Sequence, residues 1–60
     1  MTSETTAFLA QAKATIWEIS KGLGERMITE GNEAITPQLE VAIRSLNEAY
    51  SQLEKAMLKG

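Results

Sequence analysis

Sixty residues, with eight acidic side chains against six Lys/Arg and a formal net charge of −2, make one small, mildly acidic domain at most. The sequence holds no Cys, His or Asp, which removes disulfide frameworks, thiolate or imidazole metal sites, Asp-rich calcium loops and His-based acid–base catalysis. The charge balance argues against general nucleic-acid binding, and no apolar run approaches the roughly 18 residues of a membrane span.

The opening stretch, MTSETTAFLAQAK, has no basic segment ahead of an apolar core, so it does not read as a signal peptide and cytoplasm is the expected compartment. Ser3 or Thr2 is placed to cap a first helix, and Glu4 sits favourably against its dipole. This helix is expected over about residues 4–30. Thr5, Phe8, Leu9, Ala12, Ile16, Ile19, Leu23 and Met27 share one face about 100° wide. A second apolar patch lies off that face, made of Ala10, Trp17 and Ile28 with Ala14 beside them. Trp17 therefore points away from whatever the main face packs on. It either fills the flank of an intersubunit core or serves as an aromatic anchor for a partner.

Gly22 and Gly24 each cost a helix interior about 1 kcal/mol. The apolar period nevertheless continues to Met27, and Gly31-Asn32 is the stronger stop signal, so the helix is expected to run on through a soft, close-packed point. The glycine pair lacks the strand and third glycine of a phosphate-binding loop. Residues 31–36 then form a connector short enough to make its two helices antiparallel neighbours.

The second helix is expected over about residues 37–59, with Thr36 as an N-cap acceptor and Pro37 at the first helical position. Leu39, Ala42, Ile43, Leu46, Ala49, Tyr50, Leu53, Ala56 and Met57 fall within an arc of about 140°, and Val41 and Leu58 are the sizeable apolar residues outside it. Within this stripe Ala42, Ala49 and Ala56 recur at heptad spacing between rows of larger residues. Such a ridge lets another helix approach closely.

The expected fold is all-α: an antiparallel two-helix hairpin forming a single domain over residues 1–60. Two helices pressed together bury one stripe each and leave their flanks wet, against an ordering cost that grows with every residue. Self-association into a four-helix bundle or a larger helical oligomer is the expected remedy, with a two-fold dimer the commonest form. Its expected core is Leu9, Ile16, Ile19 and Leu23 from the first helix with Leu39, Ala42, Leu46, Ala49, Leu53 and Ala56 from the second.

Chemistry is sparse. Bundle di-metal sites need inward Glu-x-x-His motifs, and neither stripe carries a glutamate, so no metal and no cofactor is expected. No Ser or Thr has a recognisable base, so no catalytic residue is assigned and an enzyme is not expected. Glu18–Lys21 and Glu40–Arg44 have the spacing of surface ion pairs. The candidate binding residues are Trp17, Lys13, Lys21, Arg44 and Tyr50, because an aromatic face with ammonium or guanidinium groups suits both a protein interface and a nucleotide-like anion.

The segment Ala42 to Met57, with Leu46, Asn47-Glu48, Ala49-Tyr50, Leu53 and Lys55-Ala56, resembles the last helix of the small phage sponge proteins, of the anti-CBASS type, that sequester cyclic-oligonucleotide signals of anti-phage immunity. Those proteins are helical hairpins that oligomerise and hold ligand between subunits, so the resemblance implies a cyclic-nucleotide partner. It also implies ligand-binding roles for Lys13, Arg44 and Ser45, although the basic-hydroxyl pair here is offset by one residue and the family's tryptophan before that helix is missing. Three functional readings follow. The first is a small regulator that binds a partner macromolecule, with a protein as the expected partner. The second is a cyclic-nucleotide sponge, and the third is a structural subunit of a larger assembly.

Overall fold

The computed structural model describes all 60 residues and holds two helices, α1 (Ser3–Glu30) and α2 (Thr36–Lys59), with no strand. Thr2, not Ser3, caps α1. Its backbone is extended (φ −76°, ψ 162°), and its Oγ1 accepts a hydrogen bond from the Thr5 N–H at 3.1 Å. α1 then runs unbroken through Gly22 and Gly24. It stops at Gly31, the one residue with positive φ (55°), whose N–H donates to the Met27 carbonyl at 3.2 Å. A side chain at that position would be strained, which is why glycine ends the helix there.

The expected close packing around the glycine pair is absent. A methyl group at Gly24 would meet nothing within 4 Å, and one at Gly22 would meet only Arg26 Nη1 at 3.5 Å, an ordinary contact.

The start of α2 also differs from the sequence expectation. Ile35 is the N-cap, already in helical conformation (φ −102°, ψ −21°), and no side chain caps the helix. Thr36 lies inside α2, and its Oγ1 donates to the Asn32 carbonyl at 2.9 Å rather than accepting. The reason is Asn32. Its side-chain oxygen accepts from the Ala34 N–H at 2.8 Å, and its carbonyl accepts from the Ile35 and Thr36 N–H groups at 3.2 and 3.1 Å. The connector is thereby wound into a helix-like turn, so α2 begins one residue early. Pro37 occupies the first turn, where its missing N–H costs nothing.

The two helices pack antiparallel, which brings Met1 beside Gly60. The nine apolar positions of the α2 stripe, Leu39 through Met57, are all half-buried. On α1 the packed face is turned from the expected one. Leu9, Ala12, Ile16, Leu23 and Met27 are half-buried, but Phe8 and Ile19 are 72% and 48% exposed, and Lys13, Ser20 and Gly24 are half-buried in their place. At about 100° per residue this is a turn of roughly 50° toward the small side chains. The cause is size. Ser20 is small enough to sit against the larger side chains of α2, Gly24 at the edge of the seam has nothing within 4 Å of where a Cβ would stand, and Ala42, Ala49 and Ala56 leave the opposite edge lightly filled.

This turn carries a local cost. The Ser20 hydroxyl oxygen is shielded from solvent and has no hydrogen-bond partner. Removing an unsatisfied buried polar group recovers its desolvation penalty. Ser20→Ala is therefore expected to raise the unfolding free energy by about 1 kcal/mol in urea denaturation. A loss of stability would mean that the hydroxyl has a partner.

The hairpin is thin. Its Cα extents are 44 × 14 × 11 Å, two helices wide and little more than one deep. Its radius of gyration is 14.0 Å, where about 10 Å suits a compact chain of this length. No residue is fully buried. The accessible surface is 4608 Å², against about 3,900 Å² for a folded monomer of this mass. Neither helix is long and apolar enough to cross a membrane.

Candidate functional site

One side of the hairpin gathers two of the six cations, Lys13 and Lys21, and the two largest aromatics. Lys13, Trp17 and Lys21 are spaced at i, i+4, i+8 along one edge of α1, so their side chains lie in a row about 12 Å long. Across from Lys13, Tyr50 and Glu54 are likewise four apart on α2. The antiparallel register sets Lys13 between them, with Nζ 5.0 Å from the Tyr50 ring centroid and 3.6 Å from Glu54 Oε2. The Lys13 side chain is 21% exposed and that of Glu54 51%. A half-exposed pair at that distance contributes about 0–1 kcal/mol. The ring contact contributes about 0.5–1 kcal/mol. These contacts fix where Lys13 points more than they stabilise the fold.

Trp17 stands beside this cluster and is 56% exposed. Lys21 Nζ lies 5.4 Å from its ring centroid. A half-exposed indole costs apolar hydration, and the ammonium over its face holds the ring in place without covering it. The expected pairing of Lys21 with Glu18 does not form, because the lysine turns to the ring instead. Nor does Glu40–Arg44 form. Lys13–Glu54 is the one ion pair within 4 Å, and it crosses between the helices.

Of the five predicted binding residues, the structure brings together Lys13, Trp17, Lys21 and Tyr50. Arg44 is exposed and, by helical periodicity, on the far side of α2 from its stripe, away from the other four. Ser45 is exposed next to it. The predicted core positions other than Ile19 are half-buried along the α1–α2 seam, whereas Ile19 faces outward.

Glu54 is the member of the cluster not singled out from sequence. The signal was available in the spacing, since a hairpin folded at residues 31–35 sets Lys13 level with positions near 53. Lys13 and Glu54 also border, with Met57 and Leu58, an open hollow of about 330 Å³ toward the terminal end of the hairpin. That volume is at the lower limit of small-molecule sites, but the hollow excludes Trp17 and Lys21. No group of three or more carboxylates gathers anywhere to hold a metal ion.

The arrangement can grip an amphipathic or anionic surface. It offers two aromatic faces, two ammonium groups and one carboxylate, all at least partly open to solvent. It holds no nucleophile paired with a base. No protein-family model matches this chain, and neither does any curated protein or solved structure.

Proposed function

We propose that this chain is a small, non-enzymatic, cytoplasmic regulator that binds a partner protein through the Trp17 side of a homo-oligomeric helical bundle. The observation that carries the reading is Trp17, an indole 56% exposed beside Lys13, Tyr50 and Lys21. Large aromatics set among charges are the usual energetic centres of protein interfaces. The oligomer is supported by a hairpin that leaves no residue fully buried. The residue content supports a binding role over a catalytic one, because Cys, His and Asp are all missing.

Affinity capture with the tagged wild-type chain, compared with Trp17→Ala, tests this reading. The expected result is a specific protein captured by the wild type and reduced at least about tenfold with Trp17→Ala, the mass of the chain in solution being unchanged. Identical capture by both would overturn it.

A second reading, a sponge for cyclic nucleotides, is favoured by one observation: two ammonium groups stand over aromatic rings on the same side. Nucleobase and phosphate could use both. Glu54 weighs against it, because its carboxylate already engages Lys13 and opposes an incoming anion. A thermal-shift screen of cyclic di- and trinucleotides that raised the melting temperature would favour the sponge, and a flat screen would remove it.

A further inference from the structure

The contacts of Lys13 with Tyr50 and Glu54 assign the edges of the two helices to sides. The Lys13 edge of α1 and the Tyr50 edge of α2 share one broad side. The remaining edges must share the other: Phe8 and Ile19 from α1, and Ala42, Ala49 and Ala56 from α2. Phe8 is 72% and Ile19 48% exposed. This second side has large apolar side chains along one helix and small ones along the other. The charge on the Phe8–Ile19 row is Arg26, seven residues past Ile19 and exposed, and it makes no ion pair within 4 Å.

We propose that this side is where a second copy of the chain docks, with the two hairpins related by a two-fold axis parallel to the helices. The proposal rests on the oligomeric reading above and names its contact face. Three observations argue for a second copy as occupant. The first is area. The chain exposes 4608 Å², about 700 Å² more than a folded monomer of its mass should. That excess is close to the roughly 800 Å² each partner contributes to a standard interface.

The second is shape. A two-fold interface must be self-complementary, the same patch serving both chains. The axis parallel to the helices lays α1 of one chain on α2 of the other at the same level. The register that puts Lys13 beside Tyr50 and Glu54 puts Phe8 level with Ala56 and Ile19 level with Ala49, to within about one turn. Each of these two large apolar side chains then meets a small one, and Arg26 lies level with the third alanine, Ala42. The perpendicular axis would instead set α1 on α1 and α2 on α2, large on large and small on small. The third is charge. Docking through this side desolvates no ion pair and leaves one charge, Arg26 near the connector end, to accommodate, whereas the opposite side would bury three, Lys13, Lys21 and Glu54. The Trp17 side is thereby left outward on both faces of the dimer.

The chain has no cysteine, so introduced ones report contacts directly. An equimolar mixture of Ile19→Cys and Ala49→Cys chains, refolded together and oxidised, is expected to give mainly the mixed disulfide dimer. Ile19→Cys alone is expected to give little. Efficient cross-linking of Ile19→Cys with itself would overturn the arrangement. In sedimentation, Ile19→Glu is expected to weaken dimerisation by about 100-fold or more, and Ile28→Glu, on the other side of α1, by less than about threefold. The reverse order would overturn the face assignment while leaving the oligomeric reading intact. A wild-type chain that sediments at 6.6 kDa at every concentration would overturn the oligomeric reading itself.

Discussion

Leu46→Ala is expected to lower the unfolding free energy by about 2–3 kcal/mol, while Leu58→Ala changes it by less than about 0.5 kcal/mol. The two leucines share a helix and a chemistry and differ in surroundings. Leu46 lies at the centre of the α2 stripe, level with Ser20 of α1 and half-buried in the single hairpin, whereas Leu58 is 87% exposed. Half burial alone is worth about 1–1.5 kcal/mol, half the value of a fully covered leucine. The larger expected cost includes the cover that a second hairpin adds and the cavity left behind when its packing partner goes. Urea denaturation at one fixed chain concentration checks both variants. A Leu46→Ala cost near 1 kcal/mol would mean that the single hairpin is all there is.

Replacing both helix-interior glycines is expected to stabilise the chain. Gly22 and Gly24 have ordinary helical backbone, Gly31 being the one glycine with positive φ. A Cβ at Gly24 meets nothing within 4 Å and one at Gly22 only the mobile end of Arg26, at 3.5 Å. With the space free, the unfolded-state entropy of glycine decides the sign. The Gly22→Ala/Gly24→Ala double variant is expected to gain about 1.5–2 kcal/mol. For a chain of this length that raises the melting temperature by roughly 10 °C, measured by circular dichroism at 222 nm. Gly24 lies on the Trp17 side of α1, so a gain there also argues that no second copy packs against that side. Destabilisation by Gly24→Ala alone would point to a helix packed closely on it.

The sequence made the two helices and the α2 face legible because both rest on strong local signals. Gly31 stops α1 by a backbone conformation that other residues resist, and the α2 stripe repeats without a break from Leu39 to Met57. The α1 face was less legible. Phe8 and Ile19 continue one apolar row, but apolar character does not say which row packs. Ser20 takes the seam because it is small, a fact about what α2 brings and not about α1. Thr36 misled for a similar reason, since Thr-Pro is a good start signal until Asn32 winds the preceding turn.

In the candidate site, residue chemistry alone selects Trp17, Lys13, Lys21, Arg44 and Tyr50, and the α1 periodicity turns Trp17 away from the main stripe. The grouping of four of them on one side requires the register between the helices. Arg44 is a candidate by the chemistry of its guanidinium and by resemblance along α2, not by any facing relation with α1. It is the one of the five that the fold sets apart.

Whether the hairpin is complete alone decides both the partner face and the docking face. Sedimentation equilibrium of the wild-type chain across a wide concentration range, at physiological salt, tests this most directly. The expected mass is twice 6.6 kDa, falling toward one chain only on dilution, with a melting temperature that rises with concentration. A constant mass of 6.6 kDa, with a melting temperature independent of concentration, would contradict it.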